Sequence, residues 1–68
     1  MTRNDSKKLM AVITAAYRNF YKDISTIELE AQYDLWASIF EDYEFNVVSN
    51  ALKSFIATDK DGYPPAPG

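Results

Sequence analysis

Apolar residues recur at helical spacing in three stretches of the chain. The pattern is clearest in the last stretch, whose apolar residues lie at i, i+3, i+7, i+10 and i+11: Phe45, Val48, Leu52, Phe55 and Ile56. Polar side chains fill most of the positions between them, which is typical of a helix with one buried face. This stretch predicts a helix over about residues 43–57, and Asp42 is positioned to cap its first turn.

The first stretch predicts a helix over about residues 6–18, because apolar residues from Leu9 to Phe20 keep helical spacing. Asp5 or Ser6 is the expected N-cap, since both residue types accept hydrogen bonds from the amides of a first turn. Residues 18–23 then break the apolar pattern, so they are predicted to form the first connection.

The middle stretch opens with Ser25 and Glu28 at the spacing of a helix capping box. In such a box the Ser25 hydroxyl accepts from the Glu28 amide, and the Glu28 carboxylate reaches back to the Ser25 amide. Two apolar rows follow on the helix predicted over about residues 26–40: Leu29, Tyr33, Trp36 and Phe40 in one row, and Ala31, Leu35 and Ile39 in the other. A face this wide predicts burial between two other helices, so the second helix is expected to be the central one.

Helices this short are not stable alone in water, so tertiary packing must hold them together. With short connections between them, they predict a compact all-α domain of three helices over residues 1–58. The expected core combines apolar residues from all three helices: Leu9, Val12, Ile13, Ala16, Leu35, Trp36, Ile39, Phe40, Val48, Leu52 and Phe55. Residues 59–68 are predicted to form a polar turn and a proline-rich exit that begins a linker.

Composition limits how the domain is stabilised and what it binds. The sequence has no cysteine and no histidine, which excludes a disulfide framework and an ordinary zinc site. Ten acidic and seven basic residues give a net charge of −3, which argues against a protein that binds nucleic acid by neutralising phosphates. No signal peptide or membrane-spanning run is visible, so the cytoplasm is the expected compartment.

Three groups of residues suggest chemistry, and each has a simpler explanation. Asp59–Gly62 looks like the start of a calcium loop, but the later ligands and the closing glutamate are missing, so a polar turn is favoured. The carboxylates within residues 41–44 are explained better by helix capping than by metal binding or acid–base catalysis. Pro64 and Pro67 have P-x-x-P spacing, for which a stiff exit is favoured over recognition by an SH3-type groove. No catalytic, cofactor-binding or metal-binding residue is predicted.

Aromatic residues are the candidates for partner contact. Tryptophan and tyrosine dominate binding hot spots, yet a small core also needs large rings. Trp36 lies on the wide face of the second predicted helix, so a core position is favoured for it. Tyr21, Tyr43 and Tyr63 lie near the ends of predicted elements and are the candidate partner-contact residues.

A set of short motifs runs through about residues 9–65 in this order: Leu9–Ala16 followed by Tyr17-x-x-Phe20, Leu35-Trp36 with Phe40, Asp42-Tyr43, Ala51-Leu52-Lys53-x-Phe55-Ile56-Ala57-Thr58, and Pro64-Pro65. In these motifs and their order the chain resembles the helicase loader and inhibitor family of bacteriophages of Gram-positive hosts. The resemblance implies an all-helical N-terminal domain attached to a flexible C-terminal tail. It also implies a non-enzymatic replication adaptor that binds and restrains the replicative hexameric helicase and hands it to an origin-bound initiator protein. Because the family's helicase-binding segment is placed in the tail, no binding residue is carried over to this chain.

A small phage regulator that binds DNA is the alternative function, because compact three-helix folds often read a major groove. Such a regulator needs a helix with basic residues on its exposed face. The third predicted helix offers only Lys53, and the first offers Lys7 and Lys8 at its start. The sequence therefore favours the adaptor, with no direct contact to nucleic acid or membrane.

Overall fold

The computed structural model describes residues 1–65, and every regular element in that range is a helix. Helix α1 spans Arg3–Ala16, α2 spans Arg18–Tyr21, α3 spans Thr26–Ile39 and α4 spans Phe45–Thr58. The predicted all-α class is confirmed, and the single turn of α2 adds to the three predicted helices. Ala66–Gly68, the end of the predicted proline-rich exit, lie outside the described residues.

Helix α1 begins at Arg3 rather than at about residue 6, because Thr2 is its N-cap. The Asp5 amide donates to Thr2 Oγ1 at 3.2 Å, and the Thr2 amide donates to Asp5 Oδ2 at 3.1 Å, which completes a capping box. The prediction of Asp5 or Ser6 as the N-cap is therefore wrong. The hydrogen bond from the Thr2 amide is the main cause that lowers the pKa of the Asp5 carboxyl. The helix ends before Tyr17, whose backbone leaves the helical region at φ −121° and ψ 52°.

The predicted start of α3 is confirmed. The Glu28 amide donates to Ser25 Oγ at 3.1 Å, and the helix begins at Thr26. The reciprocal bond from the Ser25 amide to the Glu28 carboxylate is not made, so the predicted capping box is wrong in its second half. The helix ends at Ile39, and Phe40 is its C-cap.

The predicted start of α4 is wrong. The helix begins at Phe45 rather than at about residue 43, because Glu44 has the extended backbone of an N-cap, with φ −73° and ψ 144°. Asp42 lies before it in the connecting turn, and no side chain bonds to the amides of the first turn. The end at Thr58 agrees with the predicted end at about residue 57.

Helix α1 is the central element, because it packs against α2, α3 and α4. The predicted central position of the second long helix, α3, is therefore wrong. The Cα atoms of α3 and α4 stay more than 8 Å apart, so these two helices meet only through side chains. The wide apolar face of α3 is buried on one side only, since Leu35 and Ile39 are each 44% exposed.

Polar contacts fix α1 against α3. Ser6 is fully buried, and its Oγ donates to the Tyr33 carbonyl at 2.6 Å. On the surface beside it, Arg3 Nε donates to Asp34 Oδ1 at 2.7 Å, and the Arg3 guanidinium lies 3.8 Å from Glu30. The two helices are therefore held by one buried and one exposed set of bonds.

The C-terminal end of α3 is also tied to the start of the chain. The Met1 ammonium donates to the carbonyls of Phe40, Glu41 and Tyr43 at 3.2, 3.0 and 2.8 Å. A positive charge at this position is favourable because the end of a helix carries partial negative charge.

The buried core draws on α1, α3, α4 and the residue between α1 and α2: Leu9, Met10, Ile13, Tyr17, Trp36, Val48 and Leu52. The predicted core residues that are confirmed are Leu9, Ile13, Trp36, Val48 and Leu52, and Phe40 packs partly buried against them. The predictions for five other residues are wrong, because their side chains are exposed: Val12, Ala16, Leu35, Ile39 and Phe55.

The buried face of α1 is rotated from the predicted one. It runs through Ser6, Met10 and Ile13 to Tyr17, at i, i+4, i+7 and i+11. Apolar residues cover more than one face of this helix, so their spacing is compatible with either of two neighbouring faces being the buried one. The small Ser6 side chain decides between them, because it lets α1 approach the α3 backbone closely enough to reach the carbonyl of Tyr33.

Candidate functional site

The three tyrosines predicted to contact a partner lie at different places. Tyr43 is 55% exposed in the turn between α3 and α4, and its ring centroid is 5.6 Å from that of Phe40. Tyr63 is 68% exposed in the segment after α4. Tyr21, at the end of α2, is partly buried with its ring edge-on to Phe20 at 5.1 Å, and burial raises the pKa of its hydroxyl. Tyr21 and Tyr43 line different depressions of the surface, so the three do not share one site.

Tyr43 lines an apolar groove between α3 and α4, called the α3–α4 groove below. Its lining comes from α3, the following turn, α4 and the segment after α4: Trp36, Phe40, Tyr43, Val47, Val48, Ala51, Leu52, Phe55 and Pro65. The groove has a volume of about 260 Å³, and its lining is almost wholly apolar. It exists because α3 and α4 both pack on α1 while their backbones stay apart.

Buried and exposed side chains have different roles in this groove. Trp36 and Leu52 belong to the buried core, so they close the bottom of the groove. Tyr43, Val47 and Phe55 remain exposed and therefore offer apolar surface to a partner. Large apolar side chains that line a continuous groove are a mark of an interaction site, whereas scattered ones are ordinary.

Trp36 links the core to the groove. It is 4% exposed, so the predicted core position is confirmed. Its ring also lies 5.5 Å from that of Phe40, which is the next residue along the α3 side of the groove. A partner in the groove would therefore rest against a ring that already stabilises the fold.

The turn at one end of the groove is acidic. Glu41, Asp42 and Glu44 are exposed on either side of Tyr43. Within residues 1–65 the ion pairs are made by Arg3 and Lys8 with other carboxylates, so these three have no ion-pair partner there. The groove lining contains no basic side chain. The Met1 ammonium, bonded to the backbone carbonyls of this turn, offsets one of the three negative charges, and the remaining charge favours a further positively charged neighbour.

A second, wider depression of about 960 Å³ lies where the end of α1, α2 and the end of α4 meet. Across it the Tyr17 hydroxyl donates to Asp59 Oδ2 at 2.8 Å, and the Asp61 amide donates to Asp59 Oδ1 at 3.0 Å. Burial and the bond to Asp59 raise the pKa of Tyr17 to about 12, and the same bond lowers the pKa of Asp59.

The segment Asp59–Gly62, considered above as the start of a calcium loop, is thus a turn in which both carboxylate oxygens of Asp59 are bonded to the protein. Gly62 adopts a φ of 75°, which a glycine reaches without strain. In the part of the chain that the structure describes, no cluster of acidic residues could hold a metal ion.

Basic residues at the start of α1 are engaged within the domain. The Arg3 guanidinium and the Lys7 ammonium lie 5.4 and 5.9 Å from the ring centroid of Tyr33. The Lys8 ammonium lies 5.5 Å from the ring centroid of Phe45 and 4.0 Å from Asp5. These contacts are cation–π and ionic interactions on the surface of the domain.

The sequence did not predict the groove as a site, although one signal of it was present. Val47 is an apolar residue outside the buried row of α4, next to Val48 in the cleanest amphipathic pattern of the chain. A single exposed apolar residue is ordinary, so this signal points to a site only once the structure shows Val47 in the wall of the groove. No sequence signal places Pro65 beside it, because that depends on the path of the chain after α4.

Within residues 1–65 no helix has the length and apolar character needed to cross a membrane.

Comparison with known proteins gives a family but no individual relative. No curated protein and no solved structure matches the chain. A family model for the N-terminal domain of a phage helicase loader/inhibitor matches residues 1–68, the whole of the sequence. The chain therefore belongs to the family of N-terminal domains of phage helicase loader and inhibitor proteins, as its motifs predicted.

Proposed function

We propose that this domain is the folded head of a non-enzymatic adaptor that binds and restrains the replicative hexameric helicase and helps to load it at an initiator-bound origin. The family match over residues 1–68 is the observation that carries the proposal. The adaptor acts in the cytoplasm of the infected host, where helicase and initiator meet on phage DNA.

We further propose a division of labour between this head and a C-terminal tail. The family resemblance implies that the tail contacts the helicase, and the proline-containing segment after α4 suits a stiff exit into such a tail. A tail that becomes ordered on binding loses conformational entropy at that moment, so its contact is reversible. A loader needs this reversibility because it has to release the helicase. The head meets the initiator or positions the tail.

Calorimetry of the 68-residue chain against the purified helicase tests this division. We expect a Kd weaker than about 1 μM, which corresponds to a binding free energy of about −8 kcal/mol. The same head joined to the natural tail of a family member is the matched comparison, and it should bind more tightly. A Kd at or below about 1 μM for the head alone would place the helicase-docking surface within the head and overturn the division.

The alternative of a DNA-binding regulator makes a different prediction. A regulator would bind duplex DNA with an affinity that falls steeply as salt is added. The net charge of −3 argues against this, because binding to DNA depends on neutralising phosphates. We expect no salt-dependent shift of duplex DNA in a gel assay from roughly 50 to 200 mM salt, the range over which phosphate contacts weaken strongly, by about 10³-fold or more for a typical binder. A steep salt dependence would favour the regulator.

A further inference from the structure

We infer that the α3–α4 groove is a docking surface for one amphipathic helix of a partner protein, which carries basic residues beside its apolar face. The inference deepens the proposed function and rests on it, because an adaptor head has to hold a partner protein. The exposed walls are Tyr43, Val47 and Phe55, at 55%, 59% and 40% exposure, above the buried ring of Trp36. A groove of this kind takes the apolar face of a helix in a recurring mode of recognition.

The lining of the groove selects a helix over an extended peptide. The side chains that line it are almost all apolar, so they offer little to the backbone amides and carbonyls of a bound chain. A helix satisfies these groups internally, whereas an extended chain would leave them without partners on the buried side. The volume of about 260 Å³ has room for a few side chains, as presented at i, i+3 or i+4, and i+7 on one helix face.

Charge selects a basic helix and argues against a second copy of this chain. The exposed carboxylates of Glu41, Asp42 and Glu44 lie beside Tyr43 and have no ion-pair partner within residues 1–65. Lysine or arginine residues flanking the apolar face of the partner would complete this end of the groove and speed association. Each copy of this chain carries a net charge of −3, so two copies meeting groove to groove would repel each other.

A peptide titration tests the groove directly, because Trp36 is the only tryptophan and lies at its floor. The probe is a synthetic helical peptide with leucine at i, i+3, i+4 and i+7 and lysine on both sides of that face. We expect saturable changes in tryptophan fluorescence on binding. A peptide with glutamate in place of lysine should bind at least tenfold more weakly, and a scrambled peptide without an apolar face should not bind.

Two valines provide matched variants. Val47→Asn changes the groove wall, and Val12→Asn makes the same change on α1, where Val12 is exposed and lines a different depression. We expect Val47→Asn to raise the Kd about tenfold, equivalent to about 1.4 kcal/mol, and Val12→Asn to leave it unchanged. Thermal melting followed by circular dichroism establishes that both variants fold. The double change Glu41→Gln with Asp42→Asn is a second, independent variant, and it should weaken only the lysine peptide.

Several outcomes would overturn the inference. Equal weakening by the two valine changes would mean that the peptide binds elsewhere. Tighter binding of a proline-rich peptide than of the helical one would make the groove a site for extended chains, of which Pro65 would be the internal example. If Val47→Asn leaves the binding of initiator and helicase unchanged, the groove does not take part in the proposed function. A head joined to its natural tail that binds the helical peptide but neither protein would keep the groove and contradict the proposed function instead.

Discussion

The two contacts made by α3 differ in kind. Against α1, α3 is held by the buried bond from Ser6 to the Tyr33 carbonyl and by the exposed pairing of Arg3 with Asp34. Against α4, its backbone stays apart, and the space between them is the α3–α4 groove. The first contact is polar and specific, whereas the second is apolar and open on one side.

This difference separates the contact that stabilises the domain from the open groove that we infer to bind a partner. A chain of 68 residues has little apolar area to bury, so leaving Tyr43, Val47 and Phe55 exposed costs stability that a purely structural domain would retain. The bonds between α1 and α3 contribute stability that offsets the exposure of these side chains. We therefore expect substitutions in the contact between α1 and α3 to lower stability, and substitutions in the groove to weaken binding with little effect on stability.

The largest expected effect comes from truncating the core on the α1 side. Ile13 is fully buried, so Ile13→Ala should lower the free energy of unfolding by about 2–5 kcal/mol through lost burial and the cavity left behind. In a domain of this size each kcal/mol lowers the melting temperature by roughly 4–8 °C. Val47→Ala, in the groove wall, is the control and should change the free energy of unfolding by less than about 0.5 kcal/mol. Similar losses in both variants would mean that the groove supports the fold as much as the core does.

The starts of α3 and α4 give a smaller contrast. Ser25→Ala should lower the free energy of unfolding by about 1 kcal/mol, because the Ser25 hydroxyl accepts from the Glu28 amide. Glu44→Ala should cost less, since the N-cap of α4 makes no side-chain bond to the first turn. Urea unfolding of both variants compares the two starts. An unchanged midpoint in Ser25→Ala would show that the hydroxyl does not stabilise α3.

The smallest expected effect is a pH dependence at the other end of α1. The folded pKa of Asp59 is lowered, so its contribution is present above the unfolded pKa and is lost as pH falls through the folded pKa. The folded pKa of Tyr17 is raised from 10.0 to about 12, so its contribution is present below pH 10 and is lost as pH rises towards about 12. Melting temperatures measured against pH should fall more steeply at both extremes for the natural chain than for Tyr17→Phe. Parallel curves would contradict a role for this hydrogen bond.

The features that sequence predicted correctly are those set by near neighbours. Ser25 caps α3 because its partner amide is three residues away, and Leu52 is buried because its own helix has one clear apolar face. The family is likewise indicated by short motifs and their order along the chain. Such features need no knowledge of how the helices are arranged.

The features that sequence did not predict depend on distant partners. Tyr17 is buried with its hydroxyl bonded to Asp59, 42 positions away, and no local sequence pattern predicts such a pair. The wide apolar face of α3 predicted burial on both sides, but apolar width cannot distinguish a covered face from one kept for a partner. That ambiguity produced the wrong central helix, because the prediction places Leu35 and Ile39 in the core. The groove was missed for a related reason, since the prediction also places Phe55, one of its exposed wall residues, in the core.

The bond from Ser6 to the Tyr33 carbonyl also has a mechanical consequence. Helices packed only through aliphatic side chains can slide along one another in small steps, whereas a buried hydroxyl fixed to one carbonyl resists such sliding. Helices α1 and α3 should therefore move as one rigid body. If the α3–α4 groove widens to admit the helix of a partner, α4 alone would then be displaced, about the short turn at residues 40–44. Distances measured from α4 to α1 should report this displacement.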